Sequence, residues 1–273
     1  MIKMITNPET KICASIAGST SPLGCLIHNI AFEHLKLNYV YFAFAVTDVE
    51  NAIKGMRALS IRGLSVGLPH KIEVMKYLDK IDETAELIGA VNTIINENGI
   101  LTGYNSDWIG AMTALKEVTK IKGKKILVVG AGGAANAIVY GLAKEGGKIK
   151  ILNRTAFKAE DIAKRFDIKF GSLEELKDIS KYDIVMNATS VGFKNPNESL
   201  ISKESLSSKQ IVFDTIFQPL ESKLIKEAKE IGCKVVPGWK MLLYQAIWQF
   251  EKYTGNKAPV KVMEKVLKEW AKE

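Results

Sequence analysis

The sequence predicts an α/β protein of two domains, and three observations support that prediction. The apolar residues alternate between the period of a strand and the period of a helix along the whole chain. From Trp108 onward the alternation is a regular βα repeat, which predicts a parallel sheet covered by helices on both faces. The length of 273 residues is enough for one large domain or for two modest ones with cores of their own.

The first part of the chain is predicted to be mixed α/β, with short strands and short helices in turn. Its strand candidates are Lys11–Ala17, Tyr39–Val46, Gly63–Leu68, Val91–Ile95 and Ile100–Tyr104. Its helix candidates are Pro22–Leu35, Val49–Ala58, Ile72–Leu78 and Thr84–Ile88. The segment Asn96–Gly99 is typical of a hairpin turn and joins the last two strands.

The second part begins with a helix predicted over Trp108–Val118. The strands predicted after it are Ile126–Val129, Ile149–Leu152, Asp183–Asn187, Ile211–Asp214 and Lys234–Val236. Two helices, Met241–Tyr253 and Val260–Lys272, are predicted to close the chain. Because no linker rich in Pro or Ser separates the parts, we place the boundaries near Asp107 and Gly238. The expected domains are residues 1–107 with 239–273, and residues 108–238.

Composition argues against several classes of partner. Hydrophobic residues make up 47% of the chain and charged residues 25%, as in an ordinary globular protein. No apolar run reaches the roughly 18 residues that cross a bilayer. The N-terminus also lacks the apolar core of a signal peptide, so we expect a cytoplasmic protein without a membrane partner. The net charge of +8 would suit nucleic acid, but the lysines are spread along helical faces among acidic residues. We therefore expect no nucleic-acid partner, and a small anionic ligand would gain from the same charge.

The cysteines and histidines do not indicate a metal site. Cys13, Cys25 and Cys233 are far apart and odd in number, and no CxxC pair exists. The three histidines also lack the spacing of metal ligands. We expect neither a disulfide framework nor a bound metal. The sequence leaves open whether the chain forms a homodimer.

The segment Val-Val-Gly-Ala-Gly-Gly-Ala-Ala predicts a dinucleotide-binding loop. Gly130 ends a strand, and Gly132 and Gly133 open a helix, in a GxGGxA variant of the GxGxxG/A pattern. The first glycine permits the tight turn, and the next lets backbone N–H groups approach a pyrophosphate without a Cβ in the way. The helix N-terminus adds partial positive charge. A structural turn without a ligand is the alternative.

The residues about 20 positions further on favour NADP over NAD. An NAD site would place an acidic residue at the end of the second strand, where this chain has Asn153, Arg154 and Thr155. Arg154 can pair with a phosphate, Thr155 can donate a hydroxyl, and Lys158 adds positive charge. Thr155 also suits the N-cap of the next helix.

Two hydroxyls stand at the predicted start of the first helix. Ser19 and Ser21 are two residues apart, so their side chains would face one side of an extended chain. Pro22 suits the first position of a helix that Ser21 caps, and such a helix start would suit a carboxylate ligand. Capping alone is the other interpretation of these residues.

Further polar residues interrupt the apolar pattern near strand ends. Lys71 follows a strand and Pro69, and by itself it is explained by a solvated charge. Asn92, Asn105 and Asp107 lie near the two strands of the predicted hairpin. Because Asn and Asp are poor strand formers, another role for them is indicated. For Asp107, turn or helix-cap chemistry is the alternative.

Taken together, these stretches resemble the shikimate dehydrogenase family over nearly the whole chain. The matching segments, in the order of the family, are STSP, SVGLPHK, IGAVNT, GYNSDW, GAGGAA, NRT, NATSVG and GWKMLLYQAIWQFEKYTG. The resemblance implies a mixed α/β catalytic domain, a Rossmann domain that binds NADP, and C-terminal helices that pack back on the first domain. It also implies NADP(H)-dependent, reversible reduction of 3-dehydroshikimate to shikimate, in aromatic amino-acid biosynthesis.

The resemblance also implies roles for individual residues. Lys71 and Asp107 would be the catalytic pair, and Ser19 and Ser21 would hold the substrate carboxylate. The residues implied to bind ring hydroxyls are Asn92, Asn105 and Gln245. Those implied to bind the dinucleotide are Gly130, Ala131, Gly132, Gly133, Ala134, Asn153, Arg154, Thr155 and Lys158. Those implied to line the nicotinamide side are Thr189, Ser190, Gly238 and Met241.

The chain departs from the family pattern mainly on the substrate side. Gly67 stands where the family usually has Thr, so a hydroxyl is missing or the pocket is roomier there. The segment Ser21–Asn29 is longer than usual, Phe217 replaces a common Tyr, and Ser106 replaces a Thr. A quinate or aminoshikimate substrate therefore stays open. So does a catalytically silent regulator that binds NADP.

Overall fold

The computed structural model describes residues 6–270 and divides the chain into two compact units. Among the described residues, the first unit contains residues 6–106 and 245–270, and the second contains Asp107–Tyr244. The first division adjoins the boundary expected at Asp107. The second lies inside the helix that begins at Gly238.

Within residues 6–270 each unit contains one six-stranded sheet. The strands of the first unit are β1 (Lys11–Ala17), β2 (Tyr39–Ala45), β3 (Gly63–Val66), β4 (Lys80–Ile81), β5 (Thr93–Glu97) and β6 (Ile100–Tyr104). The strands of the second unit are β7 (Lys125–Val129), β8 (Lys148–Leu152), β9 (Lys169–Gly171), β10 (Ile184–Asn187), β11 (Ile211–Asp214) and β12 (Lys234–Val236).

The α-helices lie between these strands and at the end of the chain. They are α1 (Leu23–His34), α2 (Val49–Ala58), α3 (Glu83–Ile88), α4 (Asp107–Lys116), α5 (Gly133–Lys144), α6 (Ala156–Phe166), α7 (Lys223–Ile231), α8 (Gly238–Thr254) and α9 (Val260–Trp270). Short 3-10 segments are present at Glu73–Tyr77, Leu173–Lys177 and Lys203–Ser205. The predicted end of the last helix, beyond Trp270, lies outside the described residues.

The first sheet contains both parallel and antiparallel pairs of strands. Its strand order is β2-β1-β3-β5-β6-β4, with β1 parallel to both β2 and β3. Strand β5 is antiparallel to both of its neighbours, β3 and β6. The predicted hairpin turn is confirmed: Asn98 and Gly99 connect β5 to β6 with φ values of 53° and 88°. Two left-handed residues match the twist of the strands, which is why Asn-Gly is favoured there.

Two predicted elements of the first unit end earlier or differ in type. The strand expected to reach Leu68 ends at Val66, because the chain turns there and His70 N donates to Gly67 O at 3.0 Å. The helix expected over Ile72–Leu78 is a 3-10 segment of 5 residues. Strand β4 was not predicted, since its 2 residues are too few to show a period.

The second sheet confirms the predicted parallel architecture. Its strand order is β12-β11-β10-β7-β8-β9, and all its strand pairs are parallel. Alternate residues of β7 enter two different hydrophobic clusters, Ile126 and Val128 one, Leu127 and Val129 the other. Both faces of the sheet are therefore buried, as a parallel sheet requires. The strand order reverses beside β7, where doubly wound sheets bind ligands at the carboxyl ends of the strands.

The C-terminal helices return to the first unit, as predicted. Helix α9 packs against α1. The end of α8 packs directly on β3, where a Cβ on Gly63 would overlap the ring of Tyr253. Tyr253 is 1% exposed, and the ring fills the space that a side chain on β3 would take. The close approach of helix to strand at this point requires glycine.

We expect Gly63→Ala to lower the free energy of unfolding by about 2–3 kcal/mol, because the added methyl group forces the packed Tyr253 ring to move. The matched control is Gly55→Ala in α2, where a Cβ meets no atom within 4 Å. That change should raise the free energy by about 0.5–1 kcal/mol through helix propensity. Urea unfolding measures both, and equal effects of the two substitutions would contradict the packing argument.

Candidate active site

The turn after β3 places Lys71 beside the start of the hairpin. Lys71 O accepts a hydrogen bond from Val91 N at 2.8 Å, so its backbone lies next to the residue that precedes Asn92. The same turn contacts the end of β1, since Leu68 O accepts from Gly18 N at 2.9 Å. The loop that carries the predicted serines is therefore anchored to the turn that carries Lys71.

The structure brings Asn92 and Gln245 into direct contact. Asn92 is 2% exposed, and its Nδ2 donates to Gln245 Oε1 at 3.1 Å. Asn92 Oδ1 accepts from Ser106 N at 2.7 Å, which ties the two ends of the hairpin together. Asn105 lies beside them, and its Nδ2 donates to Ala90 O at 2.9 Å. Three of the amides predicted to bind ring hydroxyls thus belong to one buried polar region.

Ser19 and Ser21 are both exposed in the loop before α1. The helix begins at Leu23, one residue later than predicted, because the first helical hydrogen bond runs from Leu26 N to Pro22 O. Pro22 therefore occupies the cap position, and the prediction of Ser21 as the cap was wrong by one residue. Ser21 Oγ still accepts from Leu23 N at 3.3 Å.

Gly67 does not open a roomier space toward β1. A Cβ built on Gly67 would lie 2.8 Å from Cβ of Ala17, closer than real side chains approach. The methyl group of Ala17 therefore takes the space where a side chain at Gly67 would begin. The first helix turn is also closely packed, since a Cβ on Gly24 would lie 3.3 Å from the ring of Tyr41.

The glycine loop of the second unit has the geometry of a phosphate cradle. Gly130 has a φ of +113°, and a Cβ there would lie 2.7 Å from Ala188 O, so both conformation and space require glycine. Gly132 occupies the N-cap position of α5, and Gly133 is its first residue. A Cβ on either would meet nothing within 4 Å, so the start of α5 faces open space. Backbone N–H groups at such a helix start favour a pyrophosphate.

The residues after β8 form a compact turn at the start of α6. Asn153 Nδ2 donates to Thr155 O at 2.9 Å and holds the turn. Thr155 occupies the predicted N-cap position, although its hydroxyl makes no capping bond. Arg154 and Lys158 are both exposed, so the two positive charges of the predicted NADP site are accessible.

The ends of β10 and β11 carry a buried network that the sequence analysis missed. Asn187 and Asp214 stand opposite each other in the parallel register, and Asn187 Nδ2 donates to Asp214 Oδ1 at 2.9 Å. Asn187 Oδ1 accepts from Thr189 N at 3.1 Å and Thr189 Oγ1 at 2.7 Å. Asp214 also accepts from Ile216 N at 3.1 Å and from Ser222 Oγ at 2.5 Å. Polar residues that end neighbouring parallel strands were the available signal.

This network holds the two loops that carry the predicted nicotinamide-side residues. Thr189 is bonded to it directly, and Ser190 follows in the same loop. Gly238 packs against the backbone of the other loop, where a Cβ would overlap Ile216 O. Met241 is buried one turn further along α8. These four residues therefore lie on or against the loops that follow β10 and β11.

The remaining predicted site residue, Asp107, is the first residue of α4 and is 4% exposed. It follows Asn105 and Ser106 directly in the chain. Its pairing with Lys71 stays a prediction. Phe217, which departs from the family pattern, packs its ring 5.8 Å from the ring of Phe193 in the second unit.

Over residues 6–270, no group of three or more His, Cys, Asp or Glu side chains is arranged to hold a metal ion. In the same span, no helix combines the length and apolar character needed to cross a bilayer.

The glycine loop at the reversal of a doubly wound parallel sheet defines the class: this is an α/β protein with a Rossmann-like second unit. The particular family follows from three family models that match successive parts of the chain. Residues 12–94 match the shikimate dehydrogenase substrate binding domain. Residues 112–214 match shikimate / quinate 5-dehydrogenase, and residues 238–268 match the shikimate 5'-dehydrogenase C-terminal domain. The chain belongs to the shikimate dehydrogenase family.

Full-length relatives agree with this assignment. The shikimate dehydrogenase (NADP(+)) of Methanocaldococcus jannaschii is 43% identical, with 96% of this chain and 97% of the relative covered. A crystal structure of a shikimate dehydrogenase in complex with NADP+ superposes with a TM-score of 0.93 at 40% identity, covering 98% of each chain. A 5-ketofructose reductase of Gluconobacter superposes with a TM-score of 0.89 at 32% identity, covering 97% of this chain and all of that one.

Burial of Asp214 generates a prediction about stability and pH. Burial raises the pKa of this carboxyl from 3.8 to about 6, against the hydrogen bonds from Ser222, Ile216 and Asn187 that lower it. The folded protein therefore binds this proton more tightly than the unfolded chain does, so the stability it contributes falls as pH rises from about 4 to about 6.

We expect the unfolding free energy of the wild type, minus that of Asp214→Asn, to fall by about 2 kcal/mol between pH 4 and pH 7. Urea unfolding at several pH values measures this difference. The control is Asp161→Asn on the exposed side of α6, for which the difference should not change in this way. A flat difference for Asp214→Asn would show that the buried carboxyl does not titrate in this range.

Proposed function

We propose that this protein is an NADP-dependent shikimate dehydrogenase, which catalyses the reversible reduction of 3-dehydroshikimate to shikimate in the chorismate pathway of aromatic amino-acid biosynthesis. One observation carries the proposal: buried Asn92, bonded to the half-buried Gln245, follows Val91, whose N–H donates to Lys71 O, in a chain whose second unit has an open glycine loop at a helix start. The NADP(+)-dependent shikimate dehydrogenases among its relatives, about 40% identical over nearly the whole chain, support it.

The substrate is proposed to bind the first unit. Ser19 and Ser21 would hold its carboxylate, since both hydroxyls are exposed in the loop before α1. Asn92, Asn105 and Gln245 would bind the ring hydroxyls. A buried amide that loses its partner is costly, so this set of groups discriminates against analogues that lack a hydroxyl.

The cofactor is proposed to bind the second unit. The open start of α5 and the positive φ of Gly130 fit the pyrophosphate, so Gly130, Ala131, Gly132, Gly133 and Ala134 would cradle it. Asn153, Arg154, Thr155 and Lys158 would bind the ribose phosphate end. Arg154 and Lys158 favour NADP because they attract a 2′-phosphate that an acidic residue would repel. Thr189, Ser190, Gly238 and Met241 would line the nicotinamide side.

The bound cofactor supplies or accepts the hydride. The residues of the chain must orient the ring acid and manage one proton at its reacting oxygen. Lys71 is proposed to give that proton to the developing alkoxide and to take it back in the reverse direction, with Asp107 as its partner.

The cytoplasm is the proposed location of the reaction. The three cysteines are free, and two of them, Cys13 and Cys233, are buried. Unpaired thiols are typical of a reducing compartment.

A second substrate class is favoured by one observation. Ala17 occupies the space beside Gly67, so the family's usual hydroxyl at that position is replaced by a methyl group from the neighbouring strand. Quinate, an aminoshikimate or another hydroxylated substrate would meet a less polar wall there. The relative described as a 5-ketofructose reductase indicates that proteins of this fold act on other ketones.

A hydride-transfer assay separates these functions. The substrates are 3-dehydroshikimate, shikimate, quinate and 5-ketofructose, each with NADP(H) and NAD(H), followed at 340 nm by nicotinamide absorbance. We expect the largest kcat/KM with 3-dehydroshikimate and NADPH. Binding of NADPH without turnover of any substrate would contradict the proposal and favour a silent regulator.

We expect Lys71→Ala to lower kcat by about 100-fold or more, because the developing alkoxide loses its proton donor. KM for 3-dehydroshikimate should change by only a few fold. The control is Lys76→Ala, an exposed lysine in the 3-10 segment that follows. Steady-state kinetics of both variants test the role, and an unchanged kcat for Lys71→Ala would reject it.

We expect the double substitution Arg154→Ala and Lys158→Ala to lower kcat/KM for NADPH by about 10- to 100-fold, because two charge-assisted contacts to the 2′-phosphate are lost. The value for NADH should change little. Lys164→Ala is the control, since this lysine of α6 is 72% exposed and paired with Glu160. Equal losses for both cofactors would mean that the two charges do not select NADP.

A further inference from the structure

A second glutamine on α8 has no assigned role. Gln249 follows Gln245 by one helical turn, so both side chains lie on the same side of the helix. Gln249 is 4% exposed. A buried amide must find partners for its donors and its acceptor. Its partners therefore show what the residue does.

The Gln249 amide joins two groups of buried hydroxyls. Its Nε2 donates to Thr93 Oγ1 at 2.8 Å, and its Oε1 accepts from Ser65 Oγ at 3.2 Å. Ser65 Oγ in turn accepts from Tyr41 OH at 2.8 Å and lies 2.9 Å from Tyr253 OH. Burial raises the pKa of both phenols, so both tyrosines keep the proton they donate.

On its other side the chain of bonds reaches the proposed substrate site. Thr93 Oγ1 donates to Asn92 Oδ1 at 2.8 Å, and Asn92 Nδ2 donates to Gln245 Oε1 at 3.1 Å. Thr93 is fully buried. Ser106 Oγ also accepts a hydrogen bond from Asn92 Nδ2, at 3.0 Å. A continuous series of hydrogen bonds thus connects Tyr41 and Tyr253 with Gln245.

Two backbone groups of fixed polarity determine the direction of the series. Asn92 O can only accept, and it accepts from Gln249 Nε2 at 3.4 Å, which makes this end of the Gln249 amide the donor. Ser106 N can only donate, and it lies 2.7 Å from Asn92 Oδ1, so this atom is the oxygen of the amide. The Thr93 hydroxyl donates its one proton to the same oxygen, Asn92 Oδ1. In its bond with Gln249, Thr93 Oγ1 must therefore be the acceptor. The Gln249 oxygen then faces Ser65, which gives it a proton and accepts from the tyrosines.

This direction also sets what Gln245 can offer a ligand. Its Oε1 is engaged by Asn92 Nδ2, which leaves the Nε2 protons to face outward. Gln245 therefore presents donors, and the ligand group it meets must be an acceptor such as a hydroxyl or carboxylate oxygen. With the opposite amide orientation, two N–H groups of Asn92 and Gln245 would face each other.

We propose that Gln249 is a positioning residue that fixes the amide orientation of Asn92 and Gln245 through this one-way series of hydrogen bonds. The proposal rests on the proposed function, in which those two amides bind the ring hydroxyls. Gln249 itself does not reach the substrate in this scheme. It acts by donating a hydrogen bond to Thr93 Oγ1, so that the Thr93 hydroxyl continues to donate its own hydrogen bond to Asn92 Oδ1.

The test replaces the donor end of Gln249 alone. In Gln249→Glu, an ionised carboxylate cannot donate to Thr93, so the Thr93 hydroxyl turns toward it and releases Asn92. We expect KM for shikimate to rise about 10- to 100-fold over wild type at pH 8 and to return toward wild type near pH 5.5, where the protonated carboxyl donates again. Thr93→Val, which removes the hydroxyl at nearly constant volume, should raise KM at every pH.

A buried structural glutamine serves as the matched control. Gln210 in the second unit is 2% exposed and donates to the backbone oxygens of Ile179 and Tyr182. Gln210→Leu and Gln249→Leu should both lower stability, but only Gln249→Leu should raise KM for shikimate. The dissociation constant for NADPH should be unchanged in all of these variants except where folding is lost.

Amide proton exchange in the ligand-free protein tests the positioning role of Gln249 separately from the proposed function. The side-chain N–H groups of Asn92 should exchange slowly in the wild type and in Gln210→Leu, and quickly in Gln249→Glu at pH 8. If wild type does not turn over shikimate, the proposed function fails, and the exchange rates still test the series of bonds. If the ratio of KM values for Gln249→Glu and wild type is independent of pH, or exchange at Asn92 is unchanged, the positioning role is overturned.

Discussion

The hydrogen bond from the Ser106 backbone to Asn92 Oδ1, 2.7 Å long, is the interaction on which the first unit's polar region depends. It joins the start of β5 to the end of β6, so the two ends of the hairpin are tied together by a side chain. It also decides which end of the Asn92 amide is the oxygen. From that decision follow the orientation of Gln245 and of every hydroxyl behind it. Backbone groups of fixed polarity, Ser106 N as a donor and Asn92 O as an acceptor, thus set the polarity of a region whose hydroxyl groups could otherwise rotate.

In the second unit, the polar groups at the strand ends are held by a pair of side chains that includes a carboxyl group. Asn187 and Asp214 end neighbouring parallel strands, where backbone groups no longer find ladder partners. Their side chains replace those partners for Thr189 and Ile216. The arrangement keeps both loops in place at the edge where doubly wound sheets bind ligands. Its cost is a carboxyl group whose ionised form is poorly solvated, and the raised pKa of Asp214 expresses that cost.

The residues that support the family assignment differ from those at which the chain departs from the family pattern. Gly130 and the start of α5 have the geometry that a dinucleotide requires, and the family models cover both units. One departure from the family pattern, Gly67, is coupled to its neighbour Ala17. The two residues lie side by side on β1 and the turn after β3, so a larger side chain at one position requires a smaller one at the other. The space at this point is therefore a property of the pair and not of Gly67 alone.

Local periodicity was enough to predict most elements of the fold. The bounds of β1, α2, β6 and β11 are those predicted, because an apolar period over several residues is a local property of the chain. The turn at Asn98 and Gly99 was predictable for the same reason, since left-handed residues there need Asn and Gly. The short strands β4 and β9 were missed; β4 has only 2 residues and Lys169–Gly171 of β9 contains a single large apolar residue, Phe170.

Only the tertiary structure decided how the polar residues act on one another. The sequence marked Asn92 and Gln245 through a family resemblance, but it could not show that they bond each other across 153 positions. Gln249 carried no local signal, because its partners Thr93 and Ser65 lie 156 and 184 positions away. Asp214 ended a predicted strand, yet its burial depends on β10 and on Ser222. A side chain's residue type is written in the sequence, whereas the direction of its hydrogen bonds and the solvation of its charge depend on neighbours that folding brings together.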